Sequence, residues 1–291
     1  MRAILLHNKR SGRTTPGGAY SKRLLRRLLE EAGYRVDYRS TRKPGWDEAL
    51  EDSSDLIMIA GGDGTVSKVL RRLTRRDVPL AILPTGSSNN IAASLGLTGK
   101  PEAIIPKLPG AKRRRLDVGV ARTARGDRAF VESAGLGLFA EFLKRVDPDE
   151  IAASGTDLLL QLASRARSRW CRIKADGVDL NGRYVLAMAL NTPCVGPGVK
   201  LAPSAEPGDG KLDLLLVTPS QRGLLKVYLR GLADGAAPEF PFPLKQVRQI
   251  RMGWVVGAGH LDDRLWPNGQ AARQGVMTLE VAAAPFEVLV P

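Results

Sequence analysis

Residues 55–70 read DLIMIAGGDGTVSKVL: an apolar run ends in Gly61-Gly62-Asp63-Gly64-Thr65, and a helical pattern begins at once behind it. Glycines at a strand-to-helix turn let backbone N–H groups close on an anion. The helix N-terminus adds unpaired donors and the positive end of its dipole. Phosphate is the natural guest of such a turn. Asp63 is the odd member, because a carboxylate repels phosphate unless a cation lies between them, and Mg2+ would reconcile the charges. Two adjacent glycines alone would signify only a turn that needs positive φ. The full string, between this strand and this helix, says more. It is neither a G-x-x-x-x-G-K-[ST] loop nor a G-x-G-x-x-G fingerprint.

Other chemistries find less support. His7 and His260 are the only histidines, too few for a typical zinc site, and His7 at a strand end reads as structural. No G-x-S-x-G elbow occurs, so Ser-His-Asp hydrolysis has little basis. Cys171 and Cys194 show neither staple nor metal-knuckle spacing and read as reduced thiols. Met58 and Met188 lie in apolar strand runs and read as core.

These residues need elements to hold them. RAILLH, YRVDYRS, DLIMIA and PLAILP read as strands, and between and after them come helical patterns. The first carries Leu24, Leu25, Leu28 and Leu29 on one stripe and stops at Gly33. The second, TVSKVLRRLTRR, starts on Thr65 as cap and spaces Val66, Val69, Leu70 and Leu73 helically; the third is NNIAASLG. Such alternation predicts an α/β domain with a mostly parallel sheet over residues 1–118. Beyond KRRRLDVGVA, strand-like runs follow one another between Gly, Pro and Asp turns, predicting a mainly antiparallel domain over 119–283. Two helices interrupt it, near 148–168 and at SQRGLLKVYLRGLADG.

The 291 residues carry 44 Lys+Arg against 30 Asp+Glu, a net charge of +14 that favours anionic partners. Aromatics are 5% and none is interleaved with the arginines as a base-stacking platform requires, so no nucleic acid is expected. The basic runs KRLLRRLLEE, LRRLTRR and KRRR suit an anionic membrane surface instead. The N-terminus does not read as a signal peptide, and no apolar stretch reaches the ~18 residues of a membrane span. A cytoplasmic protein, peripheral on a membrane, is the expectation.

Gly61-Gly62-Asp63-Gly64-Thr65 resembles the nucleotide-binding signature of the diacylglycerol kinase catalytic-domain superfamily, which includes soluble bacterial lipid kinases, sphingosine and ceramide kinases and, more distantly, NAD kinases. Further segments resemble that family in order. HNKRSG retains Asn8, Ser11 and Gly12 of an N-P-x-S-G loop, and Thr41 falls where the family has a threonine after its second strand. LPTGSSNNIAASLG, with Gly86, Ser87, Asn89 and Asn90, is similar to P-x-G-T-x-N-D-x-A. RLDVG, with Asp117, is similar to I-D-x-G, GLGLFAE to G-x-G-x-D-A, and GVKLAPSAEPGDGKLDLLLV to the G-x-x-x-A-P-x-A-x-x-x-D-G-x-L-D run.

The resemblance implies that the first domain binds ATP with Mg2+ through these loop residues, Asp63 and Asp117 serving catalysis. It implies a β-sandwich second domain with a lipid pocket, a strand over 284–291 returning to the first domain, and an active site in the cleft. It also implies a structural Mg2+ on the Asp213 carboxylate and the carbonyls of Gly210 and Leu215, although Asp213 reads equally as a turn residue. Departures fall on motif positions: Ser87 for threonine, and Asn90 and Phe139 for aspartates. The family's D-G-E segment, whose acidic residue deprotonates the substrate, reads Asn268-Gly269-Gln270, and neither amide can be a base. Asp262 and Asp263, just upstream, are the alternative carriers.

The expected function is therefore ATP-dependent phosphorylation of a diacylglycerol-like or sphingoid-like hydroxyl at a membrane surface, with homodimerisation left open. The alternatives are a catalytically impaired nucleotide- or lipid-binding homologue and, less well matched by the C-terminal half, an NAD kinase.

Overall fold

The structure, a computed structural model, describes residues 1–12, 19–74, 76–147, 151–266 and 274–291, with 151–153 described as backbone only. The chain divides into two compact units, Met1–Asp117 with Ala283–Pro291, and Val118–Ala282.

In the first unit the elements run β1 (Arg2–His7), α1 (Lys22–Glu31), β2 (Arg35–Ser40), β3 (Leu56–Gly61), α2 (Asp63–Leu70), β4 (Leu80–Pro84), α3 (Asn90–Ser94), α4 (Pro101–Ile104) and β5 (Lys112–Leu116). Every residue of β3 and nearly all of β1 and β4 are buried, as parallel strands covered on both faces require. One face packs Ala3, Leu5, Leu56, Met58 and Leu83 on Leu25 and Leu29 of α1 and on Ile104 and Leu108. Gly33 takes φ 84° just past α1, a left-handed stop that costs glycine nothing.

The helix behind the glycine string differs from the sequence expectation. It begins at Asp63 with Gly62 as N-cap, so Thr65 lies inside the first turn, and it ends at Leu70.

The second unit adds β6 (Gly119–Thr123), β7 (Arg128–Phe130), β8 (Ser133–Gly137), α5 (Leu138–Leu143), α6 (Ile151–Arg165), β9 (Arg169–Ala175), β10 (Val178–Asp179), β11 (Gly182–Tyr184) and β12 (Leu186–Leu190). It continues with β13 (Cys194–Val195), β14 (Val199–Lys200), β15 (Leu212–Val217), α7 (Arg222–Ala233), β16 (Leu244–Val247), β17 (Gln249–Trp254), β18 (Gly259–Leu261), β19 (Arg264–Trp266) and β20 (Gly275–Val281). Two large antiparallel sheets form among the described residues, ordered β10-β9-β17-β20-β6-β7, with β11 also on β9, and β16-β15-β12-β8-β18-β19, beside the small β13-β14 pair. Their facing sides share one core, in which Ile173, Met252 and Leu279 meet Leu136, Ala187 and Leu214. The other side of the second sheet packs Met188, Leu190 and Leu215 against Phe139, Leu159 and Leu225 of α5–α7. Alternate burial along β9 is the pattern a strand with one wet face must have.

The last strand, β21 (Phe286–Val290), belongs to the first unit and completes the sheet order β2-β1-β3-β4-β21-β5. It runs parallel to β4 and antiparallel to β5. Phe286 is fully buried there, with the Arg76 guanidinium 3.5 Å from its ring centroid. Phe286→Ala should therefore cost the first unit ~3–5 kcal/mol. Hydrogen exchange read by mass spectrometry checks this: amides of β1, β3 and β4 should lose protection while those of β9, β17 and β20 keep theirs.

Candidate functional site

β1, β3 and β4 end side by side, with Ala60 opposite His7 and Gly61 opposite Pro84. The loops that follow them meet. Asn8 bends the first loop: its side-chain carbonyl accepts from Arg10 N at 3.2 Å and its backbone carbonyl from Ser11 N at 2.9 Å. Its amide group donates to the Thr65 hydroxyl at 3.1 Å, tying this loop to α2. Gly12 takes φ 77°. Thr41, after β2, donates its N–H to the His7 carbonyl at 3.1 Å, and its own carbonyl accepts from Lys68 Nζ. Lys68 was not singled out from the sequence; only its distance from Thr41, 27 residues away, reveals it.

The second and third loops touch backbone to backbone. A Cβ on Gly62 would lie 2.9 Å from Gly86 Cα, and one on Gly86 would lie 2.3 Å from Gly62 Cα. A Cβ on Gly61 would strike the Thr65 side chain at 2.4 Å. Positive φ is not the reason for these glycines: Gly62 sits at φ −92°, ψ −173°, an extended conformation open to any residue. Close approach is the reason. The Asn89 side chain closes the third loop on Gly86, accepting from its N–H and donating to its carbonyl, both at 2.8 Å.

Asp63 clamps the second loop to the third. Its Oδ1 accepts from Ile91 N at 2.9 Å, and the amides of Asn90 and Asn89 also reach the carboxylate. Burial raises its pKa, outweighing the downward pull of those amides. Mg2+ at this place would share the carboxylate with the first turn of α3. Gly64 is exposed in the first turn of α2, whose backbone N–H groups lack intrahelical acceptors. Ser87 is exposed, Asn90 is buried, and the buried Thr85 hydroxyl beside them has no hydrogen-bond partner.

Asp117 is buried just past the end of β5. Its neighbour Leu116 pairs with Phe286, and two residues on Val288 pairs with Leu80, the first residue of β4.

Asn268 and Gln270 lie outside the described residues. Their alternatives are described. Asp262 and Asp263 form the turn between β18 and β19, with Asp262 at φ 52°. The buried Asp262 carboxylate accepts from the backbone N–H groups of Val131 and Glu132, both at 2.8 Å, and of Ser133 at 3.3 Å. That is a structural brace. Asp263 is exposed. Phe139 packs its ring 5.4 Å from Phe142 and 4.9 Å from His260, inside the apolar core. Burial lowers His7 to about 4 and His260 to about 3, so both are neutral at pH 7. The buried Cys171 thiol is pushed up to about 11, an unreactive thiol.

Among the described residues no cluster of three His, Cys, Asp or Glu side chains could hold a metal. The Asp213 site would need only one carboxylate. Asp213 is buried on β15, its Oδ1 has no partner, and burial followed by the charge of Asp209 raises it to about 6. An orphaned buried carboxylate oxygen fits a cation. Gly210 turns the chain at φ 75° before β15, and Leu215 lies in β15 between Met188 and Leu244.

Residues 2–121 match the diacylglycerol kinase catalytic domain, and residues 154–253 match the YegS C-terminal NAD kinase beta sandwich-like domain. The diacylglycerol kinase of Bacillus subtilis (strain 168) is 28% identical over 232 residues, 74% of this chain and 73% of that protein. The diacylglycerol kinase of Mycobacterium tuberculosis (strain H37Rv) is 29% identical over 188 residues, 62% of this chain and 60% of that one. A crystal structure of a diacylglycerol kinase from Bacillus anthracis superposes with a TM-score of 0.74 at 18% identity, covering 100% of this chain and 97% of the other. An NAD kinase from Archaeoglobus fulgidus in complex with ATP shares the fold at a TM-score of 0.56 and 17% identity, covering 100% of this chain and 94% of the other. The chain belongs to the diacylglycerol kinase catalytic-domain superfamily. Within it, the protein is an enzyme of the lipid-kinase type.

Two outcomes follow from the carboxylates. Asp213 has its folded pKa raised, so ionisation opposes folding: stability falls as pH climbs from the ordinary carboxylate value of 3.8 to about 6. Mg2+ bound to the ionised group would offset that loss. Added Mg2+ should then raise Tm at pH 8 and leave it unchanged at pH 4.5, and Asp213→Asn should abolish the pH 8 effect; a Tm indifferent to Mg2+ at both pH values returns Asp213 to the turn-residue reading. Asp262→Ala leaves three buried N–H groups unpaired and should cost about 3 kcal/mol or more in urea unfolding. Asp263→Asn, at an exposed turn, should stay within about 0.5 kcal/mol.

Proposed function

We propose that the protein is an ATP- and Mg2+-dependent kinase that phosphorylates the hydroxyl of a diacylglycerol-like or sphingoid-like lipid. The observation that carries this reading is the convergence of three strand-end loops, pressed together at Gly62 and Gly86 and clamped by Asp63. A phosphate chain needs backbone donors at close range, and only loops without side chains at these points offer them. Asn8, Ser11 and Gly12 would border the nucleotide on one side, Gly86, Ser87 and Asn89 on the other. Thr41 and Asn90 complete the set expected from the sequence. Mg2+ would supply charge neutralisation on the transferring phosphoryl group. The chain's own share is positioning, and a misplacement of about 1 Å in such a site can cost ~10²-fold in rate.

The acceptor would lie in the second unit, along the apolar seam between the sheet and α5–α7. Leu138, Phe139, Leu159, Leu186, Leu225 and Leu229 line a cavity of about 10 Å3 there, no roomier than one water needs. An acyl chain would enter by parting these helices. The absence of side-chain hydrogen-bonding groups from the lining suits an alkyl guest and gives a nicotinamide ribose nothing to bind. This reading sets the protein in the cytoplasm at the inner face of the membrane.

A second reading, a homologue that binds nucleotide or lipid without turnover, is favoured by Phe139, Asn268 and Gln270 standing at acidic positions of the family. Transfer of labelled phosphate from ATP to bacterial lipid extracts in mixed micelles separates the two. The kinase reading predicts a labelled lipid and a loss of more than ~10²-fold in Gly62→Val. Measurable ATP binding with no labelled lipid across diacylglycerol, sphingoid and polyprenol panels would leave the second.

A further inference from the structure

The outer face of the β10-β9-β17-β20-β6-β7 sheet carries charge that the fold does not need. Along β9, Trp170, Arg172 and Lys174 alternate with Cys171, Ile173 and Ala175, which are buried in the sandwich core. The same alternation turns Arg251, Thr278 and Arg122 outward. Strand register then sets Lys174, Arg251, Thr278 and Arg122 in one line across four strands. Like charges directly opposite each other destabilise a sheet, yet Lys174 faces Arg251. Arg122 is ion-paired with Asp127 and Glu280. Arg172, Lys174 and Arg251 have no ion-pair partner among the described residues; Asp179 stands opposite Lys174 on β10 without closing a pair.

Beside this row the surface turns apolar. Trp170 is 50% exposed, Val276 48%, and Val255 and Val256, in the bend after β17, 57% and 66%. These four make up half of the eight large apolar side chains most exposed among the described residues, gathered at one end of one sheet. A groove of about 870 Å3 runs between them and the arginines, floored by Trp254 and Trp266 packed edge to face.

We infer that this face docks the protein on an anionic bilayer, the cations lying over the headgroups and Trp170, Val255 and Val256 entering the acyl boundary. Cations beside an aromatic–aliphatic edge are the chemistry of an interfacial anchor. Single-stranded nucleic acid would satisfy the arginines but offers exposed valines no apolar medium. A second copy would bring one cation row onto another. The purpose of the surface rests on the lipid-kinase reading, since a bilayer is where a lipid hydroxyl is presented; the docking itself does not, and it is measured without nucleotide.

The test is co-sedimentation of the full-length chain, without ATP, with phosphatidylcholine vesicles containing or lacking phosphatidylglycerol. Wild type should partition onto the anionic vesicles. Arg172→Gln with Arg251→Gln should lower the partition coefficient ~25-fold, about fivefold for each surface cation. Val255→Ser with Val256→Ser, in an exposed bend that leaves the sheet intact, should lower it about tenfold by removing aliphatic carbons from the boundary. Both double variants should keep wild-type transfer to micellar lipid. Vesicle binding unchanged in both, or no preference of wild type for anionic vesicles, overturns the assignment; so does an oligonucleotide that binds wild type more tightly than the vesicles and is lost in the arginine variant. Loss of micellar transfer in wild type itself, with vesicle binding intact, would instead sink the kinase reading and leave the surface standing.

Discussion

Gly62 and Gly86 meet backbone to backbone, at a distance that admits no side chain on either. Everything at the candidate site depends on that contact. β3 and β4 are parallel neighbours, so the chain leaves both at the same edge, and the residues that follow compete for one small space. Only glycine at both points lets the third loop close, through Asn89, and brings the N-terminus of α3 against the Asp63 carboxylate. Asp63 is thus a fold residue whatever else it does. It satisfies amides that would otherwise be buried without acceptors. The Thr65 hydroxyl ties in the first loop through Asn8, so a single turn of α2 organises all three.

The second unit is held by a comparable device of different chemistry. Its sandwich core is mainly apolar, and the hairpin of β18 and β19 is anchored by the Asp262 carboxylate, which gathers three amides of the segment running from β7 into β8. A carboxylate so engaged stabilises a fold and is poorly placed to take a substrate proton. On the far side of the sheet, Phe139 adds to the aromatic packing with Phe142 and His260. The unit thus packs apolar side chains between the second sheet and α5–α7, turns basic side chains outward on the first sheet, and uses the Asp262 carboxylate as a brace.

Much of this was legible in the sequence. An apolar run into Gly61-Gly62-Asp63-Gly64-Thr65, a stripe of leucines stopped at Gly33, and a change of texture beyond Ala121 were enough to give the α/β-then-β order and the strand-to-helix turn at the glycine string. What stayed hidden was set by pairs distant in sequence. The need for Gly62 comes from Gly86, and the partner of Asp63 is Ile91, 28 residues on. The partner strand of β5 is β21, whose residues lie at the other end of the chain. The pleat also overrode a reading of linear order: Trp170 and Arg172 are separated by a cysteine in sequence, yet they share one face, and three more strands bring cations and valines to it. Reading the arginines as unaccompanied by aromatics missed that assembly.

The central claim, that the Gly62–Gly86 contact forms a nucleotide cradle, is tested most directly by calorimetric titration of a non-hydrolysable ATP analogue with Mg2+ into wild type and Gly86→Ala. A single methyl group there meets Gly62 Cα at 2.3 Å and the Asn89 side-chain Oδ1 at 2.9 Å, forcing the second and third loops apart. The account predicts measurable binding by wild type and at least ~10-fold weaker binding by the variant, about 1.4 kcal/mol, with the second unit's amide protection unchanged. Equal affinity in the two proteins would contradict it.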